Sequence, residues 1–211
     1  MNNKINKFTN HDKILKMTQL AILTALIFIM TFTPLGYFKV GIVDITFLMI
    51  PVAIGAIITG PMGGLFLGTM FGLSSFFTCF GFSAFGTALF GIDPLLTFIT
   101  CLIPRMLMGY LVGLVFKGVQ KIDKTKTVSF FVASLSGAVI NTALFVLFLV
   151  LLFGNNADVL ALFQTDTFVG IIVGLITVNA LIEAGVSLVV GGSISKALAV
   201  YLPKLGNKAE N

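Results

Sequence analysis

Residues 46–78 read TFLMIPVAIGAIITGPMGGLFLGTMFGLSSFFT, a run without one charged side chain. Its sharpest break is Gly60-Pro61. Glycine ends one helix, and proline begins the next because its missing N–H would find no partner in a first turn anyway. The stretch therefore predicts two short apolar helices, Thr46 to Gly60 and Met62 to Thr78. The rest of the chain is of the same kind. Of its 211 residues 57% are apolar and 10% charged, and the mean hydropathy is +1.08. Soluble domains carry about a quarter charged residues, and the 13 basic and 8 acidic side chains here cannot coat a globule of 22.5 kDa. The solvent is lipid. A soluble enzyme, a nucleic-acid binder and a disordered chain are excluded, and so is a β-barrel, which needs alternating segments of about ten residues.

Four more apolar runs flank the central pair: Met17 to Thr33, Asp93 to Phe116, Val128 to Phe153 and Phe168 to Ala197. A helix needs about 20 apolar residues to cross the hydrocarbon, fewer where the bilayer is thin. The chain thus reads as an all-α membrane protein with six transmembrane helices. Lys4, Lys7, Lys13 and Lys16 precede the first helix, and Lys117, Lys121, Lys124 and Lys126 lie between the fourth and fifth. Lys196, Lys204 and Lys208 sit at the C-terminal end, so with six spans all eleven share one side and only Lys39 stands opposite. The positive-inside rule then places the N and C termini in the cytoplasm. The organisation is a cytoplasmic tail over 1–16, a transmembrane domain over 17–202 and a second cytoplasmic tail over 203–211. No small-residue cleavage site follows the first helix, which reads as an uncleaved anchor. No internal repeat stands out, which weakens an inverted-repeat secondary transporter.

In lipid, close helix contact relies on small residues. Gly64, Gly68 and Gly72 form one stripe, Gly109 and Gly113 a second, Gly170 and Gly174 a third, and for these intramolecular packing is the expectation. Ala21 and Ala25 are less obvious, because they stand beside the basic tail where a partner can dock. The outer connections TPLGYFKVGIVDI (33–45) and CFGFSAFGTALFGI (79–92) are apolar and glycine-hinged, with Phe80, Phe82, Phe85 and Phe90 in the second. They read either as lids over a cavity or as segments dipping into the interface.

Ionisable groups inside a bundle are costly and point to function by default. Asp44 and Asp93 begin helices and read as caps. Arg105, Asn141, Asn179 and Glu183 remain. At 1.5 Å per residue Arg105 lies about 18 Å in from Asp93, Asn141 about 20 Å in from Val128 and Asn179 about 16 Å in from Phe168. All three fall near the midplane, and Glu183 shares the face of Asn179 one turn deeper. Pro104 frees the carbonyl of Thr100 from its helical donor. Such a cluster suits a small polar solute; equally, Arg105 and Glu183 form a structural ion pair and the asparagines tie helices together. Tyr37 and Lys39 of the first outer connection are further candidates for contact with a solute.

No catalytic residues, metal ligands or cofactor motif emerge. The one histidine, His11, lies in the N-terminal tail, Cys79 and Cys101 make no metal or disulfide framework, and no GxxxxGK[ST] loop is present. Two classes remain: an autonomous secondary transporter, for which Glu183 is the one titratable candidate, and a substrate-binding subunit whose ATP is hydrolysed by a partner.

The sequence resembles the substrate-binding S components of energy-coupling-factor (ECF) transporters, the vitamin importers of bacteria and archaea. The resemblance runs through AILTA (21–25), PVAIGAIITGPMGGLFLGTMFGLSSF (51–76) and IPRMLMGYLVGLVF (103–116). It implies the S-component fold in a prokaryotic cell membrane, with a transmembrane coupling subunit and two ATPase subunits as partners. Ala21 and Ala25 would contact the coupling subunit, and the pocket would lie beneath the two outer connections. Within the family the chain is most similar to pantothenate-specific members, through FTPLGYFKVG (32–41), ITFLMIPVAIGAI (45–57) and FGLSSFFTCFG (71–81). Another vitamin, such as a hydroxymethylpyrimidine or pyridoxine-like ring, riboflavin or folate, is the alternative, and an autonomous secondary transporter a further one.

Overall fold

Gly60 and Pro61 do what their order predicts. Gly60 adopts φ 91°, a left-handed conformation that favours glycine, and closes α2 (Met49–Thr59); Pro61 occupies the first turn of α3 (Pro61–Thr78). The computed structural model describes residues 2–34, 36–38, 45–123, 127–154, 156–162 and 179–208. Around the central pair stand α1 (Asn2–Thr31), a two-residue hairpin β1 (Tyr37–Phe38) and β2 (Ile45–Thr46), and α4 (Ala84–Ile92). Then follow α5 (Pro94–Gln120), α6 (Val128–Phe153), the short α7 (Ala157–Leu162) and α8 (Asn179–Val186). A π-helical turn, Ser187–Gly191, joins α8 to α9 (Gly192–Lys208).

Four segments are long and apolar enough to cross a membrane: Lys13–Thr31, Pro94–Gln120, Val128–Phe153 and Ala180–Tyr201. With the shorter apolar helices they make a multi-pass, all-α membrane protein. The 11 residues of α2 reach only about 16 Å at 1.5 Å each, half the hydrocarbon thickness. Every residue from Met49 to Ile57 is buried, as expected of a helix that is apolar all round.

The α3 glycine stripe is used inside the molecule. A Cβ on Gly64 would collide with the carbonyl of Gly109, and one on Gly68 with the carbonyl of Arg105. On Gly72 it would stand 2.8 Å from Cα of Leu102, and on Gly113 of α5 it would come within 2.6 Å of Cα of Pro61. Backbone meets backbone along the whole α3–α5 seam, which is the most extensive helix pair in the fold. Gly170 and Gly174 lie outside the described residues.

Several expected boundaries move, each for a local reason. The first helix begins at Asn2 rather than Met17, since neither proline nor glycine interrupts residues 2–31. The last helix likewise runs through 203–208, part of the expected tail. The second helix starts at Met49 rather than Thr46, because the backbone there is otherwise engaged. Thr46 N–H donates to Oε1 of Glu183 at 2.8 Å and Phe47 N–H to the carbonyl of Gly36 at 3.0 Å. Residues 79–92, read from the sequence as a loop that is either a lid or an interfacial segment, contain the two-turn helix α4. Ser83 caps it, its Oγ accepting from Gly86 N–H at 3.3 Å. Asp93 does cap α5, accepting from Leu95 and Leu96 N–H at 2.9 and 3.0 Å. Asp44 lies outside the described residues.

The expected sixth helix, Phe168 to Ala197, is described only from Asn179, and it is not a uniform α-helix. Ser134 of α6 donates its hydroxyl to the carbonyl of Ser187 at 2.7 Å, and Ser187 returns a bond to the carbonyl of Ser134 at 2.6 Å. A side chain that takes a carbonyl out of the helical ladder opens a wider turn, and the π turn starts at Ser187.

Candidate functional site

Pro104 has no N–H, so the carbonyl of Thr100 lacks its helical partner. Arg105 supplies the replacement from the next position: its Nη1 donates to Thr100 O at 2.7 Å. The side chain is thereby folded back along α5 into the bundle, where it is 7% exposed. Its guanidinium lies over the Phe145 ring of α6 at 4.5 Å from the centroid, with Phe71 of α3 at 5.6 Å. The α3–α5 glycine seam passes through the same point, since Gly68 packs on the carbonyl of Arg105.

Beside this arginine is a cavity of about 90 Å³, room for about three waters. It brings together Tyr37, Arg105, Asn141, Glu183 and Phe85. Three buried polar atoms at its wall have no hydrogen-bond partner among the described residues: the Tyr37 hydroxyl, Nε of Arg105 and Oδ1 of Asn141. Buried polar groups are overwhelmingly paired in folded proteins, because an orphaned one costs about 1–3 kcal/mol. Here three such atoms line one cavity. Burial pushes the Tyr37 phenol up to about 12, against the pull of the nearby Arg105 charge, so its hydroxyl stays neutral.

Glu183 and Arg105 share the cavity without forming an ion pair; Glu183 is engaged elsewhere. Its Oε1 accepts from Thr46 N–H at 2.8 Å, and the Thr142 hydroxyl lies 3.5 Å from Oε2. The carboxylate thus ties α8 to the hairpin strand β2 and to α6, and the structural ion pair weighed from the sequence is not made. Asn179 opens α8, but its side chain lies outside the described residues, as does the whole of Lys39.

The phenylalanines of 79–92 divide. Phe85 is buried on α4 at the cavity and faces Phe145, 6.4 Å between centroids. Phe80 and Phe82 are exposed in the turn before α4, where Phe80 packs on Phe90 at 4.9 Å and Phe82 on Phe32 at 5.7 Å. Ala21 and Ala25 are exposed on α1 and take no part in the buried core.

Sequence reasoning missed Phe145, Cys79, Cys101 and the hydroxyls of Thr46, Ser75 and Thr142 in the cavity wall. Aromatic, thiol and hydroxyl side chains are ordinary in an apolar helix, and only the fold shows which face one space. Among the described residues no three His, Cys, Asp or Glu side chains group as metal ligands would.

The cavity that holds this arginine thus lies among the helices and the β1–β2 pair of a multi-pass bundle. The family model for the ECF transporter substrate-specific component matches residues 15–191, most of the chain and every helix that borders the cavity. The chain belongs to that family: it is the substrate-binding subunit of an ECF transporter, not an enzyme. It binds a vitamin-type substrate and works with the partners of the ECF module. No individual curated protein matches it.

Proposed function

We propose that this subunit captures pantothenate from outside a prokaryotic cell and delivers it through an ATP-driven coupling module. The observation that carries the reading is the set of unpartnered atoms on the cavity. Nε–H of Arg105 asks for an acceptor, best an anion. Oδ1 of Asn141 asks for a donor, and the Tyr37 hydroxyl can take either role. Pantothenate offers a carboxylate, two hydroxyls and an amide N–H. With Nη1 held by Thr100, the Nε edge of the guanidinium is left to bind the carboxylate. Asn141, with Asn179 and Lys39, would serve the hydroxyl and amide groups. Phe85, Phe80 and Phe82 would close the space from the lid side.

In this reading the chain crosses the membrane six times with the tails 1–16 and 203–211 in the cytoplasm, α2 and α3 together completing the pair of central passes. Ala21 and Ala25 meet the transmembrane coupling subunit, and a pair of ATPase subunits drives release. The exposure of both alanines, in contrast to the consumed glycine stripe of α3, supports that assignment.

The test is a binding panel on the purified subunit with radiolabelled pantothenate, riboflavin, folate and pyridoxine. Pantothenate retained above the other three is the expected result. Retention of an uncharged ring compound in its place would transfer the cavity to another vitamin.

A further inference from the structure

Cys79 ends α3 and Cys101 lies in α5; both are buried, both border the cavity, and their Sγ atoms stand 3.9 Å apart as free thiols. Neither takes part in the solute contacts described above. A disulfide bond is about 2.05 Å long, so the two sulfurs need to approach by about 1.9 Å in total. We propose that Cys79 and Cys101 are a modification site, a dithiol that small disulfide compounds entering the cavity convert to an intramolecular disulfide, closing the cavity to its solute.

The chemistry balances with an organic disulfide as the oxidant. One cysteine, as its thiolate, attacks a sulfur of the reagent; the reagent's S–S bond breaks and one thiol leaves, carrying away that cysteine's proton. The second cysteine then attacks the protein-bound sulfur of the mixed disulfide. The Cys79–Cys101 bond forms, the mixed bond breaks, and a second thiol leaves with the second proton. The dithiol loses two electrons and the reagent disulfide gains them.

The consequence for the cavity follows from what leans on Cys79. Its Sγ now lies 3.6 Å from the carbonyl of Ser75, and a Cβ on Gly86 of α4 would come within 2.8 Å of that sulfur. The helix that carries Phe85 therefore packs directly against Cys79. Drawing this sulfur toward Cys101 pulls away the surface on which α4 rests and bridges the cavity wall beside Arg105. A solute already in the cavity would stand between the reagent and the thiols, so occupancy should protect them.

The full-length subunit in detergent or nanodiscs is treated with cystamine and its intact mass recorded, with and without pantothenate as the occupying probe. The expected result is loss of two hydrogens without a retained adduct, loss of maleimide labelling at both cysteines, and recovery of both with dithiothreitol. Cys79→Ser and Cys101→Ser should each retain a single cystamine half as an adduct, or stay unmodified. Bound radiolabel should fall in the oxidised protein and return on reduction. Two thiols that remain reduced while the protein is folded, or a disulfide formed only between molecules, would overturn the proposal; so would an internal disulfide that leaves the binding of every vitamin in the panel unchanged. The mass readout does not depend on which vitamin binds. Failure of pantothenate to bind or protect, with the two-hydrogen loss intact, would count against the pantothenate reading and leave the dithiol site standing.

Discussion

Arg105→Lys keeps the charge in the cavity and removes the fork. In the native protein Nη1 is held by Thr100 O at 2.7 Å, while the buried Nε–H has no partner among the described residues. One arginine can therefore cap the gap left by Pro104 and still offer donors to a carboxylate. A lysine ammonium is a single point with a shorter reach and cannot satisfy both positions with the same geometry. If it stays with Thr100, at least one charge-assisted bond to the solute is lost. Such bonds contribute about 1.5–3 kcal/mol, on the order of a 10- to 100-fold rise in Kd. Stacking on Phe145 weakens as well, adding about 0.5–1 kcal/mol. The assay is equilibrium binding of radiolabelled pantothenate to purified wild-type and variant subunits, with the melting temperature measured on the same samples. The expected outcome is a folded variant with Kd raised at least tenfold. Unchanged affinity in the folded variant would refute the reasoning, and lost binding that tracks lost folding would make Arg105 a structural cap for Thr100.

Glu183→Ala should destabilise the protein by about 1–3 kcal/mol, because it orphans the buried N–H of Thr46, whereas Glu183→Gln keeps an acceptor there and should melt closer to wild type. Equal melting temperatures with equally reduced binding would instead make Glu183 a solute ligand. Gly68→Ala puts a methyl into the carbonyl of Arg105 and should cost about 1–3 kcal/mol through separation of α3 and α5, read as a lower melting temperature. Ala21→Leu or Ala25→Leu should reduce co-purification with the coupling subunit and leave vitamin binding intact, since both alanines are exposed; normal assembly would place the docking face elsewhere. Proteoliposomes containing this chain alone should accumulate no pantothenate under an ion gradient without ATP, and uptake there would establish a secondary transporter.

The lipid environment, the helical class and the family were legible in the sequence because each is a property of runs of residues. Length, apolarity and the absence of charge in 46–78 are local, and so are the Gly60-Pro61 break and the Asp93 cap. The glycine stripe of α3 could be read as a close-packing surface, since four-residue spacing alone puts Gly64, Gly68 and Gly72 on one side. Its partner, the α5 backbone at Arg105 and Gly109, needed the fold. Arg105, Asn141 and Glu183 stood out as costly in lipid, yet cost does not say how a group is satisfied. Tertiary structure decided that Arg105 bonds back to Thr100, that Glu183 holds Thr46 rather than the arginine, and that Tyr37 joins them from a hairpin. It also decided the π turn at Ser187 and the 3.9 Å approach of Cys79 to Cys101, 22 residues apart. Hydrogen bonds and thiol contacts reach only a few ångströms, so which polar groups meet depends on how the helices cross, and periodicity along a chain carries no record of that crossing.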